Sequence, residues 1–273
     1  MATVVDRPAA QIGLEERFFL RAAIAMAVVV ASAFSFNLAM GRSSFHAPPL
    51  VHAHAIAFMG WVAIYLLQNV LVATGRIDLH RLLGWIGAGW IAMMVVLGNV
   101  ALVLMVRRGG VPFTFQPLHL LIYDSVIIFT FAGLTYAAIV LRRRTDWHRR
   151  LHYCGMSMLL GPAFARLLPL PLLIPWELEA SYVALMIFPA VAAWSDVRRL
   201  GQVHPAWRWG IGTMVMAMLL TEVITHSAVG TVLYREATAG SPGAAIAPLD
   251  YAPPPWASRP VQARPDEVPN RPI

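Results

Sequence analysis

Glu222 and His226 stand four residues apart inside an apolar run, so on a helix they share one face about a turn apart. Such a pair can offer an oxygen and a nitrogen to a metal ion, or a carboxylate that holds an imidazole in one tautomer. It can equally serve packing, through an interhelical hydrogen bond to Arg166 or to a neighbouring imidazole. His54, Asp124 and Arg166 are the other ionisable residues set inside apolar runs. A bare charge near a bilayer centre costs roughly 2.5–3.5 kcal/mol even on the most lenient scale. Each is therefore expected to face the interior, with Asp124, Arg166 and Glu222 as a buried polar network.

The composition says what must position them. The chain has 273 residues, 58% hydrophobic and 13% charged, with a mean hydropathy of +0.63. Soluble domains are about a quarter charged, so a disordered chain, a nucleic-acid-binding domain and a soluble nucleotide-dependent enzyme are excluded. A polytopic all-α transmembrane bundle in a lipid bilayer is expected. The formal charge of +7 comes with 21 basic residues, all arginine, most of them between apolar runs. That placement is a topology signal, not a phosphate-binding surface, so no nucleic-acid partner is expected. The single Cys154 excludes an intrachain disulfide and a cysteine-clustered metal site. No glycine-rich phosphate loop, nucleophile elbow or zincin motif is present, and no signal peptide is read.

Runs near the 20 apolar residues that a crossing helix needs fall at 19–41, 51–74, 82–106, 118–141, 154–174, 177–195 and 209–232. Seven spans are expected. Pro162, Pro169 and Pro171 interrupt the fifth and Pro175 follows it, which predicts a kinked or shortened helix; a re-entrant pair with the sixth would leave six spans. Thirteen arginines, including Arg76, Arg81, Arg142, Arg143, Arg144, Arg149 and Arg150, fall on the N-terminal side, against Arg42, Arg107 and Arg108 on the other. A bacterial inner membrane with the N-terminus cytoplasmic and the C-terminus periplasmic follows. The expected organisation is a cytoplasmic segment 1–18, a membrane domain 19–236 and a proline-rich, disordered outer tail 237–273, with Tyr251 and Trp256 on the membrane surface.

This topology sorts the polar residues by depth. His52 and His54 open span two, His119 opens span four with Asp124 deeper, Glu177 and Glu179 open span six, and His226 closes span seven. Four helices thus bring imidazoles or carboxylates to the outer half of the bundle. His54, His119, His226 and, less favourably placed, His52 are candidate cofactor ligands. His54, His119, Glu222 and His226 are candidate metal ligands. Imidazoles from separate helices at one depth suit a bis-histidine haem b, and the same set permits a non-haem transition metal. Ala53, Ala55, Ala57 and Gly60 would leave room for a ring.

A second group lies on the inner side. Arg76-Ile-Asp78-Leu-His80-Arg81 aligns with Arg144-Thr-Asp146-Trp-His148-Arg149 at an offset of 68 residues, as a parallel repeat of two-helix units would. Interfacial anchoring explains Asp-x-His-Arg on its own. The alternative is an inner site made from His80, His148 and His152, the last two sharing a helical face.

The stretch His52-x-His54, Trp61, Gln68, Gly75-Arg76 and Leu79-His80-Arg81-x-x-Gly84 resembles uncharacterised bacterial multi-span proteins and, more loosely, b-type cytochrome and ferric-reductase-like bundles. The resemblance covers about 35 residues. It implies electron transfer through haem, with His54 and His119 as outer ligands and His80 with His148 or His152 as inner ones. His80 and His148 fall in expected loops, a departure from that pattern. Two other classes stay open: a small-solute or proton-coupled transporter working through Asp124, Arg166 and Glu222, and a non-catalytic subunit bound to a membrane protein partner or to copies of itself.

Overall fold

The computed structural model of the protein describes residues 9–43 and 45–254, with side chains from Gly13 onward. The described residues are mostly helical and contain no strands. They form α1 (Ala9–Ala39), α2 (Pro49–Ala73), α3 (Ile77–Arg107), α4 (Pro117–Val140), α5 (Thr145–Met158), α6 (Gly161–Leu167), α7 (Glu177–Leu200), α8 (Pro205–Thr225) and α9 (Ala228–Thr238). Prolines at the first turns of α2, α4, α6 and α8 stand where no intrahelical partner exists for their missing N–H. Gly75, at φ 72°, turns the chain from α2 into α3 in a conformation costly to residues with a Cβ.

Among the described residues, five helices are long and apolar enough to cross a membrane: Gly13–Ala39, Pro49–Ala73, Ile77–Arg107, Pro117–Val140 and Glu177–Leu200. The α8–α9 pair, bent by 77°, makes a sixth if taken as one span. Large apolar side chains such as Ile56, Phe129, Val183 and Val223 point outward along them, as lipid-facing residues do. The expected fifth span differs. Residues 154–174 are divided among α5, α6 and a 3-10 turn at Leu170–Leu172, because Pro162 has no amide proton for the Met158 carbonyl. Neither short helix reaches span length, yet together they run back along α4. The His148 imidazole bonds the Ala138 carbonyl at 2.8 Å near the C-terminal end of α4. Gly161, further along, packs against Ile127 and Tyr123.

Close packing holds the bundle, since helices gain no hydrophobic energy by leaving lipid for one another. Between α2 and α3 the Trp90 indole donates to the Ala57 carbonyl at 2.7 Å. A Cβ on Gly60 would come within 2.6 Å of that ring. The room that Ala57 and Gly60 would leave for a ring is therefore filled by tryptophan.

One end of the bundle is locked by charge. Arg150 of α5, fully buried, donates to Glu15 of α1 at 2.6 Å and to Asp196 of α7 at 2.7 Å. It also reaches the Asp146 carbonyl at 3.0 Å, while the Trp207 indole of α8 donates to Asp196 at 2.7 Å. Four helices meet on one guanidinium. A buried ion pair is tolerable only when its remaining donors and acceptors are satisfied, and here they are. Arg150, expected among the arginines between spans, is an interior residue, as is Asp196.

At the opposite end the chain folds back over the helix starts. Residues 239–254 of the proline-rich stretch contain a turn at Pro242–Ala245. Tyr234 donates to the carbonyls of Gly243 and Ile246 at 3.2 and 3.3 Å. The Pro248 carbonyl accepts from the Leu118 amide at 2.8 Å, an amide that the first turn of α4 leaves without a helical partner. Trp256 lies outside the described residues.

Candidate metal centre and adjacent cavity

His119 is the third residue of α4 and is buried. Its Nε2 lies 3.0 Å from Oε1 of Glu222 in the last turn of α8. The other oxygen of Glu222 is 3.5 Å from Nε2 of His226, and the two imidazole centroids are 6.2 Å apart at 59°. Glu222 thus bridges both rings. The two-residue break after Thr225 creates this arrangement: His226 caps α8, and Ser227 caps α9 by accepting from the Gly230 amide at 3.3 Å.

Glu179, in the first turn of α7, completes the group. One ligand atom from each of His119, Glu179 and Glu222 falls within 4.8 Å of the others. Oε2 of Glu179 is buried without a hydrogen-bond partner. Two carboxylates this close repel unless a proton or a cation lies between them. Glu177, one turn before Ser181, is fully buried. Its carboxylate accepts from the Tyr251 hydroxyl at 3.1 and 3.3 Å. Burial, then the Glu177 carboxylate, pushes the Tyr251 phenol above its ordinary range, so it keeps its proton and donates. The tail thus packs beside the group, at Glu177 and at the start of α4.

A cavity of about 580 Å³ opens beside it. Apolar side chains including Phe113, Phe115, Leu120 and Leu178 line it, and Asp124 and Arg166 face into it from α4 and α6. The Arg166 guanidinium lies 4.3 Å from the Phe34 ring centroid and donates to the Pro162 carbonyl at 2.8 Å. Its Nε–H and the Tyr123 hydroxyl are buried without partners. Asp124 and Arg166 line one cavity without closing to ion-pair distance. Glu222, expected with them in one polar network, instead joins the histidines.

The remaining candidates lie apart from this group. His52 is half-buried, its Nε2 3.2 Å from the Phe45 carbonyl. His54 stacks on Phe58 of its own helix at 4.3 Å. At the arginine end, His80 and His148 stand in the first turns of α3 and α5 rather than in loops, their centroids 6.3 Å apart. His148 and His152 are 5.6 Å apart, and His152 stacks on Trp61 at 5.9 Å. Both copies of Asp-x-His-Arg begin a helix and make an Asp–Arg pair, at 3.9 Å for Asp78–Arg81 and 3.2 Å for Asp146–Arg149.

From sequence, Glu179 is expected only to open a span, and Tyr251 to lie on the membrane surface. The signal for the former was Glu177-x-Glu179, two carboxylates at the start of an apolar run. Nothing local marked the latter, because its partner is 74 residues away. Comparison with known proteins returned no match: no family model, no curated sequence and no solved structure aligns with the chain.

Proposed function

We propose that this is a metal-binding membrane protein whose ion is held by His119, Glu179 and Glu222, with His226 as a further donor. The observation that carries the reading is the convergence of three ligand atoms, from α4, α7 and α8, within 4.8 Å. One nitrogen and two carboxylate oxygens suit a divalent transition ion such as iron, manganese or zinc. The unpartnered oxygen of Glu179 supports this reading, since a cation would satisfy it. A non-haem ion is favoured over haem b because the Glu222 carboxylate occupies the space between the His119 and His226 rings. With iron bound, the chemistry supplied would be one-electron transfer.

In this reading the protein lies in a bacterial inner membrane with its arginine end in the cytoplasm, following the arginine asymmetry. The α5–α6 stretch crosses as a broken span, which makes seven crossings and puts the metal group on the periplasmic side. Metal analysis and optical spectra of detergent-purified protein, oxidised and dithionite-reduced, test it. Stoichiometric iron, manganese or zinc, lost in His119→Ala and Glu222→Gln, supports the reading. A Soret band retained in both variants, or a metal-free preparation from metal-replete cells, overturns it.

A further inference from the structure

The cavity bordered by α4, α6, α7 and the loop before α4 has a polarity pattern of its own. About 580 Å³ falls within the roughly 300–1,000 Å³ of small-molecule sites. Its walls are mostly apolar, and its charged groups are few and opposed. Asp124 supplies a carboxylate and Arg166 a guanidinium, both lining the same space without meeting. Arg42 adds a second guanidinium at the solvent-exposed rim, where water screens it.

The unmet hydrogen-bond capacity is specific. Arg166 has its position fixed by the Phe34 ring and the Pro162 carbonyl, yet its Nε–H has no acceptor. The Tyr123 hydroxyl, one turn from His119 on α4, has none either. Two buried donors without partners cost about 1–3 kcal/mol each unless something supplies the acceptors. The missing group is therefore an oxygen acceptor.

Charge decides what carries that oxygen. A simple anion would meet Arg166 but face Asp124, and a simple cation would meet Asp124 but face Arg166. An uncharged molecule would leave Asp124 and Arg166 only their mutual attraction across the cavity, with no counter-charge in contact with either. A zwitterion neutralises both at once and leaves the net charge of the site unchanged, which is the least costly arrangement where the dielectric is low.

We propose that this cavity binds an apolar α-amino acid. Its carboxylate accepts from Arg166 and Tyr123, its ammonium donates to Asp124, and its side chain lies among Phe113, Phe115, Leu120 and Leu178. This site is independent of the metal group and needs no ion.

The test uses three probes on the detergent-solubilised full chain, with and without chelator: L-phenylalanine, 3-phenylpropionate, which lacks the ammonium, and 2-phenylethylamine, which lacks the carboxylate. Isothermal calorimetry is expected to show phenylalanine bound roughly 10- to 100-fold more tightly than either analogue, the range of one charge-assisted hydrogen bond. Asp124→Asn should reverse the preference, weakening phenylalanine and strengthening 3-phenylpropionate. Arg166→Gln should do the same in favour of 2-phenylethylamine. A gain of binding cannot come from misfolding, so the reversal separates recognition from stability. Tyr123→Phe, which removes one hydroxyl, should weaken phenylalanine about tenfold. No binding of phenylalanine to the unmodified chain overturns the proposal, as does equal binding of all three probes. Binding that all three variants leave unchanged overturns it too.

Discussion

Nε2 of His119 and Oε1 of Glu222 lie 3.0 Å apart although 103 residues separate them in the chain. The contact joins the first turn of α4 to the last turn of α8, and Glu179 reaches the same point from α7. A divalent ion there would replace the direct hydrogen bond by two bonds to the metal. Glu222→Gln keeps the shape and a hydrogen-bonding group but removes the charge. We expect it to weaken metal binding at least roughly tenfold, or 1.4 kcal/mol, measured by competition with a chromophoric chelator. Unchanged affinity would remove Glu222 from the ligand set.

Arg150 and Arg149 are sequence neighbours with different fates. Arg150 is fully buried on Glu15 and Asp196, whereas Arg149 keeps 23% of its side chain exposed. Arg150→Met removes the fully buried cation shared by Glu15 and Asp196, leaving them the partly exposed Arg149 and Arg199, and should cost about 3 kcal/mol. Arg149→Met should cost about 1 kcal/mol or less. Unfolding in detergent, followed by circular dichroism, measures both. Equal losses would contradict the hub.

The tail is tied down by Tyr251 and by Pro248. Tyr251→Phe leaves the buried carboxylate of Glu177 without that donor and should destabilise the tail segment by about 1–3 kcal/mol. Faster amide exchange at Leu118, which donates to the Pro248 carbonyl, would report it. No change at Leu118 would mean that the Tyr251 contact does not hold the segment.

The same phenol sets a pH dependence. Its pKa is raised by burial and by Glu177, so the folded state binds the proton more tightly than the unfolded chain does. The resulting stabilisation is complete below the unfolded value of about 10 and is lost as pH rises through the folded one. An ultraviolet titration comparing the intact chain with Tyr251→Phe should show one tyrosine ionising above the ordinary range. Its absence would show that Tyr251 is solvated.

Gly210 lets α8 approach α5. A Cβ there would stand 2.5 Å from the Cys154 sulfur, so Gly210→Ala should cost about 1–3 kcal/mol. Adding Cys154→Ala should recover most of the loss. Failure of that rescue would place the strain elsewhere.

What the sequence determined by itself is the material and its order. Long apolar runs without lysine, with arginines between them, dictate helices whose backbone groups bond internally, because lipid offers no other partner. Pro162 dictates a break in the fifth run because it removes an amide. Glu222 and His226 share a helical face by spacing alone. Tertiary structure decided which of the polar residues meet. His54, His119 and His226 have similar depth by sequence, but depth says nothing about rotation around the bundle. His54 turned to Phe58, while His119 turned to Glu222. Arg150 looked like its neighbour because burial is set by α1, α7 and α8, which supply its partners from as far as 135 residues away. Depth follows from a one-dimensional pattern of hydropathy; azimuth follows only from how helices pack.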